Sequence, residues 1–224
     1  MPLDPDVLAA MRRWPNVPAV HGWLSLDARG RWQLHEDGLA HEGGAGAAIS
    51  NPRILAFIGR NYMHDGRGGW YFQNGPQRVY VRLDAAPHVL RLAGDGQSLE
   101  THTGLVVREP RAWWLDDAGN LYAATEHGPG RVLDRDLAAV AARLRTGDGR
   151  PLLDALEDPA AGASWPATGD MDRDPPPKSV LSVRYGEAGP AAPLRRCAAA
   201  DIARLLEFDP DPRPSAAAGP GHPA

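Results

Sequence analysis

Between residues 60 and 80 the chain carries Arg60, Asn61, Tyr62, Tyr71, Gln73, Asn74, Gln77, Arg78 and Tyr80. Three amides crowd the segment Gln73-Asn74-Gly75-Pro76-Gln77, with arginines and tyrosines on either side. A guanidinium offers a planar fork to a carboxylate or phosphate, and a tyrosine ring adds rigid contact area with a polar tip. The set predicts recognition of a small polar or anionic ligand, or of a protein partner. The competing role is structural: amides satisfy turn backbone groups, and Arg60 can bond a helix end.

Other chemistries find less support. No G-x-S-x-G elbow occurs, so a nucleophilic serine on a strand-to-helix turn is not indicated. Cys197 sits between Arg196 and an alanine run and reads as a small packed residue rather than a reactive thiolate. An alternative reading, a hydrolase or transferase, would use His102, His127 and Asp84 as acid–base or metal-binding groups. No H-x-x-x-H or H-E-x-x-H spacing backs it, so neither a catalytic residue nor a metal or cofactor is expected. Gly43-Gly44-Ala45-Gly46 lacks the Lys-Ser/Thr of a phosphate-binding loop and reads as a flexible connector.

Composition narrows the partners. The 224 residues carry a formal net charge of -4, which gives no basic field for nucleic acid. A single cysteine excludes an intrachain disulfide and a thiolate-rich metal site. No apolar run approaches the roughly 20 residues that cross a bilayer, and the N-terminal charge order is the reverse of a signal peptide. A cytoplasmic protein without membrane or nucleic-acid partners is expected. Nothing in the composition fixes its oligomeric state, and a structural accessory subunit is a further reading.

The elements that must position the site follow from turn and cap chemistry. Asp27-Ala28-Arg29-Gly30, Asp65 to Gly68 and Asp116 to Gly119 share the pattern D-x-x-G, each followed two residues later by Trp32, Trp70 or Leu121. Aspartate suits the first turn position because its carboxylate accepts backbone N–H bonds, and glycine tolerates the positive φ that ends the turn. Three hairpins are predicted. Short helices are predicted over 5–13, capped by Asp4 or Asp6, over 52–62, capped by Ser50 or Asn51, over 134–145, capped by Asp134, and over 201–206. The unit of hairpin, connector and capped helix thus occurs twice, with a third hairpin between. Tryptophans 14, 23, 32, 70, 113 and 114 border the hairpins; if Trp113 and Trp114 share a strand they face opposite sides, and one of them is a candidate exposed surface.

The predicted fold is α+β: repeated β-hairpins forming one or two antiparallel sheets covered by two or three short helices. The expected organisation is a hairpin-repeat domain over 1–157, a Pro/Gly-rich linker over 158–178, a strand–helix extension over 179–208 and a disordered tail over 209–224.

Three stretches carry a family resemblance: WPNVPAVHGWLSLD, ISNPRILAFIGRNY…WYFQNGPQRVYVRLDAAPHVLRL, and LDDAGNLY…TEHGPG…DRDLAAVAARL. They resemble an uncharacterised proteobacterial family of small cytoplasmic proteins, over about residues 14–145 with a fainter match near the end. More loosely, the order of turn, strand and D-A-A-P at Asp84 to Pro87 is similar to a second bacterial family of unknown function. That family is built from repeated α+β motifs and carries a suggested ligand-binding or signalling role. Where it tends to have an acidic pair, this chain has alanines. Neither resemblance implies catalytic residues.

Overall fold

Each of the three aspartate turns closes in the same way. One carboxylate oxygen accepts two backbone N–H groups: Asp27 from Arg29 and Arg31 (both 2.9 Å), Asp65 from Arg67 and Gly69 (2.8 and 3.1 Å), Asp116 from Ala118 and Asn120 (3.0 and 2.7 Å). Gly30, Gly68 and Gly119 supply φ values of 80°, 97° and 82°, where a side chain would be strained. The second oxygen is anchored too, to Arg31, to the Tyr80 hydroxyl and to Asn120 respectively.

The computed structural model describes residues 3–157, 181–187 and 189–214. The chain forms two compact units, residues 1–85 with 207–224, and residues 86–206. The first contains α1 (Pro5–Arg13), β1 (Val20–Leu26), β2 (Trp32–Leu34), β3 (Ala47–Ala48), α2 (Pro52–Arg60), β4 (Tyr62–His64), β5 (Trp70–Asn74) and β6 (Gln77–Leu83). The second contains β7 (His88–Leu92), β8 (Leu99–Thr101), β9 (Val106–Val107), β10 (Ala112–Asp116), β11 (Leu121–Thr125), β12 (Gly128–Val132) and α3 (Asp134–Ala141). It continues with β13 (Leu144–Thr146), α4 (Leu152–Glu157), β14 (Leu181–Tyr185), β15 (Ala191–Cys197) and α5 (Ile202–Leu205).

The fold is α+β with two sheets. The first is ordered β3-β2-β1-β6-β5-β4, and the second β13-β14-β15-β10-β11-β12-β7-β8-β9. Six strands of the second repeat the order of the first, with β10 in place of β1 and β15 in place of β6. In both units three strands, a helix and three more strands follow in the same order along the chain, with α4 inserted after β13 in the second, and the sixth strand returns parallel beside the first. The repeated unit read from the turns is therefore real and longer than expected. The sheets are mixed rather than purely antiparallel, because β1–β6, β10–β15 and β12–β7 are parallel pairs. Local turn chemistry cannot announce such pairings, since each closes over a long stretch of chain.

Helix α2 starts at Asn51, whose side chain accepts the Arg53 and Ile54 N–H groups, with Pro52 in the first turn. It ends at Arg60, so Tyr62 lies in a strand and not in the predicted helix 52–62. The predicted helix over 134–145 likewise stops at Ala141 and gives way to β13. Asp134 is its first residue and bonds Arg131 instead of capping the helix, and Asp4 caps no N–H at the start of α1.

In the first unit, Leu24, Leu26, Trp32, Trp70, Phe72, Val81 and Leu83 are buried, and Phe57 of α2 meets Phe72 edge-on at 5.4 Å. The second core gathers Trp113, Leu121, Leu194, Val183 and Leu90 with Val140 of α3 and Leu152 of α4. Trp114 points to the other face of β10, yet it too is buried at 8 % exposure, so neither indole of the pair provides an open surface.

The expected division at 157 and 179 does not follow these units. Strands β14 and β15 pair with β13 and β10 inside the second sheet. Residues 209–213, read as tail, are tied to the first unit: Pro210 accepts the Leu83 N–H at 2.8 Å, and Asp209 donates to Gly68. The predicted linker over 158–178 and the rest of the tail, 215–224, lie outside the described residues.

Candidate binding surfaces of the first unit

Strands β5 and β6 pair Tyr71 with Tyr80, Phe72 with Val79, Gln73 with Arg78 and Asn74 with Gln77. Directly paired residues point to one side of a sheet, and alternate residues share a face. Tyr71, Gln73, Arg78 and Tyr80 therefore share a face, while Asn74 and Gln77 lie at the turn on the other.

Much of the predicted set is committed to the fold. Asn61 is wholly buried; its side chain donates to the Phe57 carbonyl at 2.9 Å and accepts the Asp4 N–H at 3.1 Å, closing the end of α2. Arg60 forms a forked pair with the Asp4 carboxylate at 3.1–3.2 Å. That pairing and the Asn61 amide hold the Asp4 carboxyl below its ordinary range. Tyr62 meets Trp32 edge-on at 5.0 Å, and burial pushes its phenol well above the usual value. Gln73 is wholly buried and donates to the Gly75 carbonyl at 2.9 Å; its own carbonyl oxygen accepts nothing among the described residues. Gln77 donates to Pro18, and Asn74 is exposed at the turn.

What remains open is a corner around Arg78. Its guanidinium lies exposed over the Tyr71 ring, 4.8 Å from the centroid. No carboxylate pairs with it among the described residues. Tyr80 stands beside Tyr71, donates to Asp65 at 3.1 Å and carries the His21 ring stacked on it at 4.5 Å and 6°. Burial raises the Tyr80 phenol pKa, and its bond to Asp65 raises it further. Burial lowers the His21 pKa, which favours the neutral ring.

A second polar group on the first sheet escaped the sequence reading. Ser25 Oγ and His35 Nε2 lie 2.9 Å apart, and both residues are buried. Hairpin register brings them together: Ser25 pairs with Gln33, and His35 lies two residues on, on the same side. Ser25 also pairs with Arg82, which binds Asp84 at 2.5 Å. Counting strand positions outward from the Asp27–Gly30 turn was the signal that could have found the pair. Ser25 is wholly buried, so no substrate carbonyl reaches its hydroxyl, and the pair does not form an esterase-like dyad.

The second unit holds the histidines of the alternative reading. His88 Nε2 donates to the His127 carbonyl at 3.0 Å, and its ring lies 5.6 Å from that of His102. His102 Nδ1 accepts the Val89 N–H at 3.3 Å, and His127 Nε2 donates to the Val106 carbonyl at 2.8 Å. Burial pushes His88 down to about 4 and His102 well below the usual imidazole value. Both rings are neutral near pH 7 and bind backbone groups. Asp84 belongs to the first unit, where Arg82 holds it. Among the described residues no three His, Cys, Asp or Glu side chains converge as metal ligands. Burial, followed by Asp116, Asp201 and Asp117, raises the Cys197 thiol to about 11, which leaves it protonated. Among the described residues no helix is long and apolar enough to cross a membrane.

A family model named DUF2944, described as a protein of unknown function (DUF2946), matches residues 3–213. The chain belongs to this family. DUF2944 is an uncharacterised family, as the resemblance implied. Two solved structures of DUF1285 family proteins are similar to this DUF2944 chain. One, from Silicibacter pomeroyi DSS-3, shares 17% identity, covers 62% of this chain and 78% of its own, and has a TM-score of 0.44. The other, from Shewanella baltica OS155, shares 14% identity over 53% of this chain and 89% of its own, with a TM-score of 0.37. No curated protein matches the chain.

Proposed function

We propose that this DUF2944 protein is a non-enzymatic cytoplasmic binding module whose Arg78 corner recognises a small anionic group. One observation carries the reading: the Arg78 guanidinium is exposed over the Tyr71 ring and unpaired with any described carboxylate. A guanidinium stacked on an aromatic ring keeps its planar edge free for a carboxylate or phosphate, and the ring holds it in place. Tyr80 and His21 extend the aromatic shelf beneath a bound anion. The buried, neutral histidines of the second unit and the inaccessible Ser25 hydroxyl favour binding over catalysis.

The test is a thermal-shift and calorimetric comparison of the native chain with Arg78→Ala against inorganic phosphate, succinate and glutarate. The native chain is expected to bind at least one of these anions saturably, and Arg78→Ala to weaken that binding roughly tenfold or more. Identical profiles for the two proteins would overturn the proposal.

A further inference from the structure

Beside His35 the first unit opens a cavity of about 510 Å³, within the range of small-molecule sites. Its wall carries three carboxylates, Glu36, Asp37 and Glu42, together with the apolar Leu34 and Leu39. The loop that completes it is built rather than slack. The Gly46 N–H bonds the Gln33 side chain at 3.0 Å, and a Cβ on Gly46 would meet the Leu34 carbonyl at 2.7 Å and His35 Nε2 at 2.9 Å. Only glycine lets the chain pass so close to the imidazole. Asp37 accepts the Leu39 N–H at 3.0 Å, which orients one carboxylate at the rim.

His35 is the second, independent feature. It is only 6 % exposed, yet it lines the cavity. Its Nε2 is bound to Ser25, and its Nδ1 makes no hydrogen bond among the described residues. We take the tautomer in which Nε2–H donates to the Ser25 hydroxyl, which makes Nδ1 a lone-pair acceptor for an N–H donor. Burial, followed by the nearby Arg82, lowers its pKa against the opposing pull of Asp37 and Asp84, so the ring stays neutral.

We infer that this cavity is a binding site for a small organic amine, separate from the anion-recognising corner at Arg78. The ammonium donates to His35 Nδ1 and is neutralised by the carboxylate wall, while a short methylene body packs on Leu34 and Leu39. An anion is repelled by three carboxylates, and a neutral apolar ligand leaves the Nδ1 acceptor unsatisfied.

The probe is 1,4-diaminobutane, with 1,4-butanediol as its uncharged counterpart, titrated into the full isotope-labelled chain. The diamine is expected to shift the His35 ring resonances saturably while the diol leaves them still. An Asp37→Asn/Glu42→Gln double variant keeps the Asp37-type turn acceptor and should bind the diamine roughly tenfold more weakly, with an unchanged unfolding midpoint. Equal responses to diamine and diol, or equal diamine affinity in native and double variant, would overturn the inference. Neither result bears on Arg78, whose anion response is read separately.

Discussion

Asp116 shows how one carboxylate can set a hairpin. It accepts the N–H groups of Ala118 and Asn120 with one oxygen and the Asn120 side chain with the other. Asp116→Ala leaves those donors without their partner and is expected to cost about 1–3 kcal/mol. Asp116→Asn keeps an acceptor oxygen and should cost clearly less; equal losses in urea unfolding would contradict the assignment. At Asp27 and Asp65 burial raises the carboxyl, but the turn hydrogen bonds outweigh it and leave both below the ordinary value. His88 gives the opposite pH signature. Its folded pKa of about 4 lies below the unfolded value near 6.5, so the unfolded chain takes up the proton first. The stability of the neutral ring is complete above about pH 6.5 and declines by about 1.4 kcal/mol per pH unit down to about pH 4. His88→Gln should flatten that slope in urea unfolding followed from pH 7 to 4, and an unaltered slope would show that His88 does not cause it.

At the scale of elements, legibility tracked the range of the interactions. The three aspartate turns were readable because donor, acceptor and glycine lie within five residues. The Asn51 cap was readable for the same reason; Asn51→Ala is expected to lower stability by about 1 kcal/mol, measured by chemical denaturation. The end of α2 was not readable. Ile54, Leu55, Ile58 and Tyr62 keep helical spacing, but Asn61 is drawn into bonds with Asp4 and Phe57, and Tyr62 into a ladder with Phe72. The parallel returns of β6 and β15 were hidden because nothing near either strand names its partner. Part of the predicted set was hidden for a related reason: Asn61 and Gln73 are polar by type, yet Asn61 is buried where it closes the end of α2 and Gln73 is buried in the β5–β6 pair. Gly43–Gly46 read as a flexible connector, whereas Gly46 is pinned by Gln33 and packed on His35. Gly46→Ala is expected to destabilise the first unit and to displace the His35 ring resonances.

On the scale of the whole molecule, two units share one strand order, and their duplicated aspartate turns mark matching places in each. The recurring D-x-x-G turns hinted at this repetition; only strand pairing revealed that it extends through the return strands. The matching strands carry different chemistry. Arg82 pairs with Ser25 in the first unit, and the corresponding Arg195 pairs with Trp114, its guanidinium 5.6 Å from the indole centroid, in the second. The proposed anion recognition belongs to the first unit alone, through Arg78, Tyr71 and Tyr80. Its most direct test follows the Arg78 Nε–Hε resonance of the full labelled chain during titration with succinate. The account predicts a saturable shift of that signal, accompanied by shifts of the Tyr71 and Tyr80 ring signals that are lost in Arg78→Ala. A silent Arg78 signal while other residues respond, or no response to phosphate, succinate or glutarate at all, would contradict it.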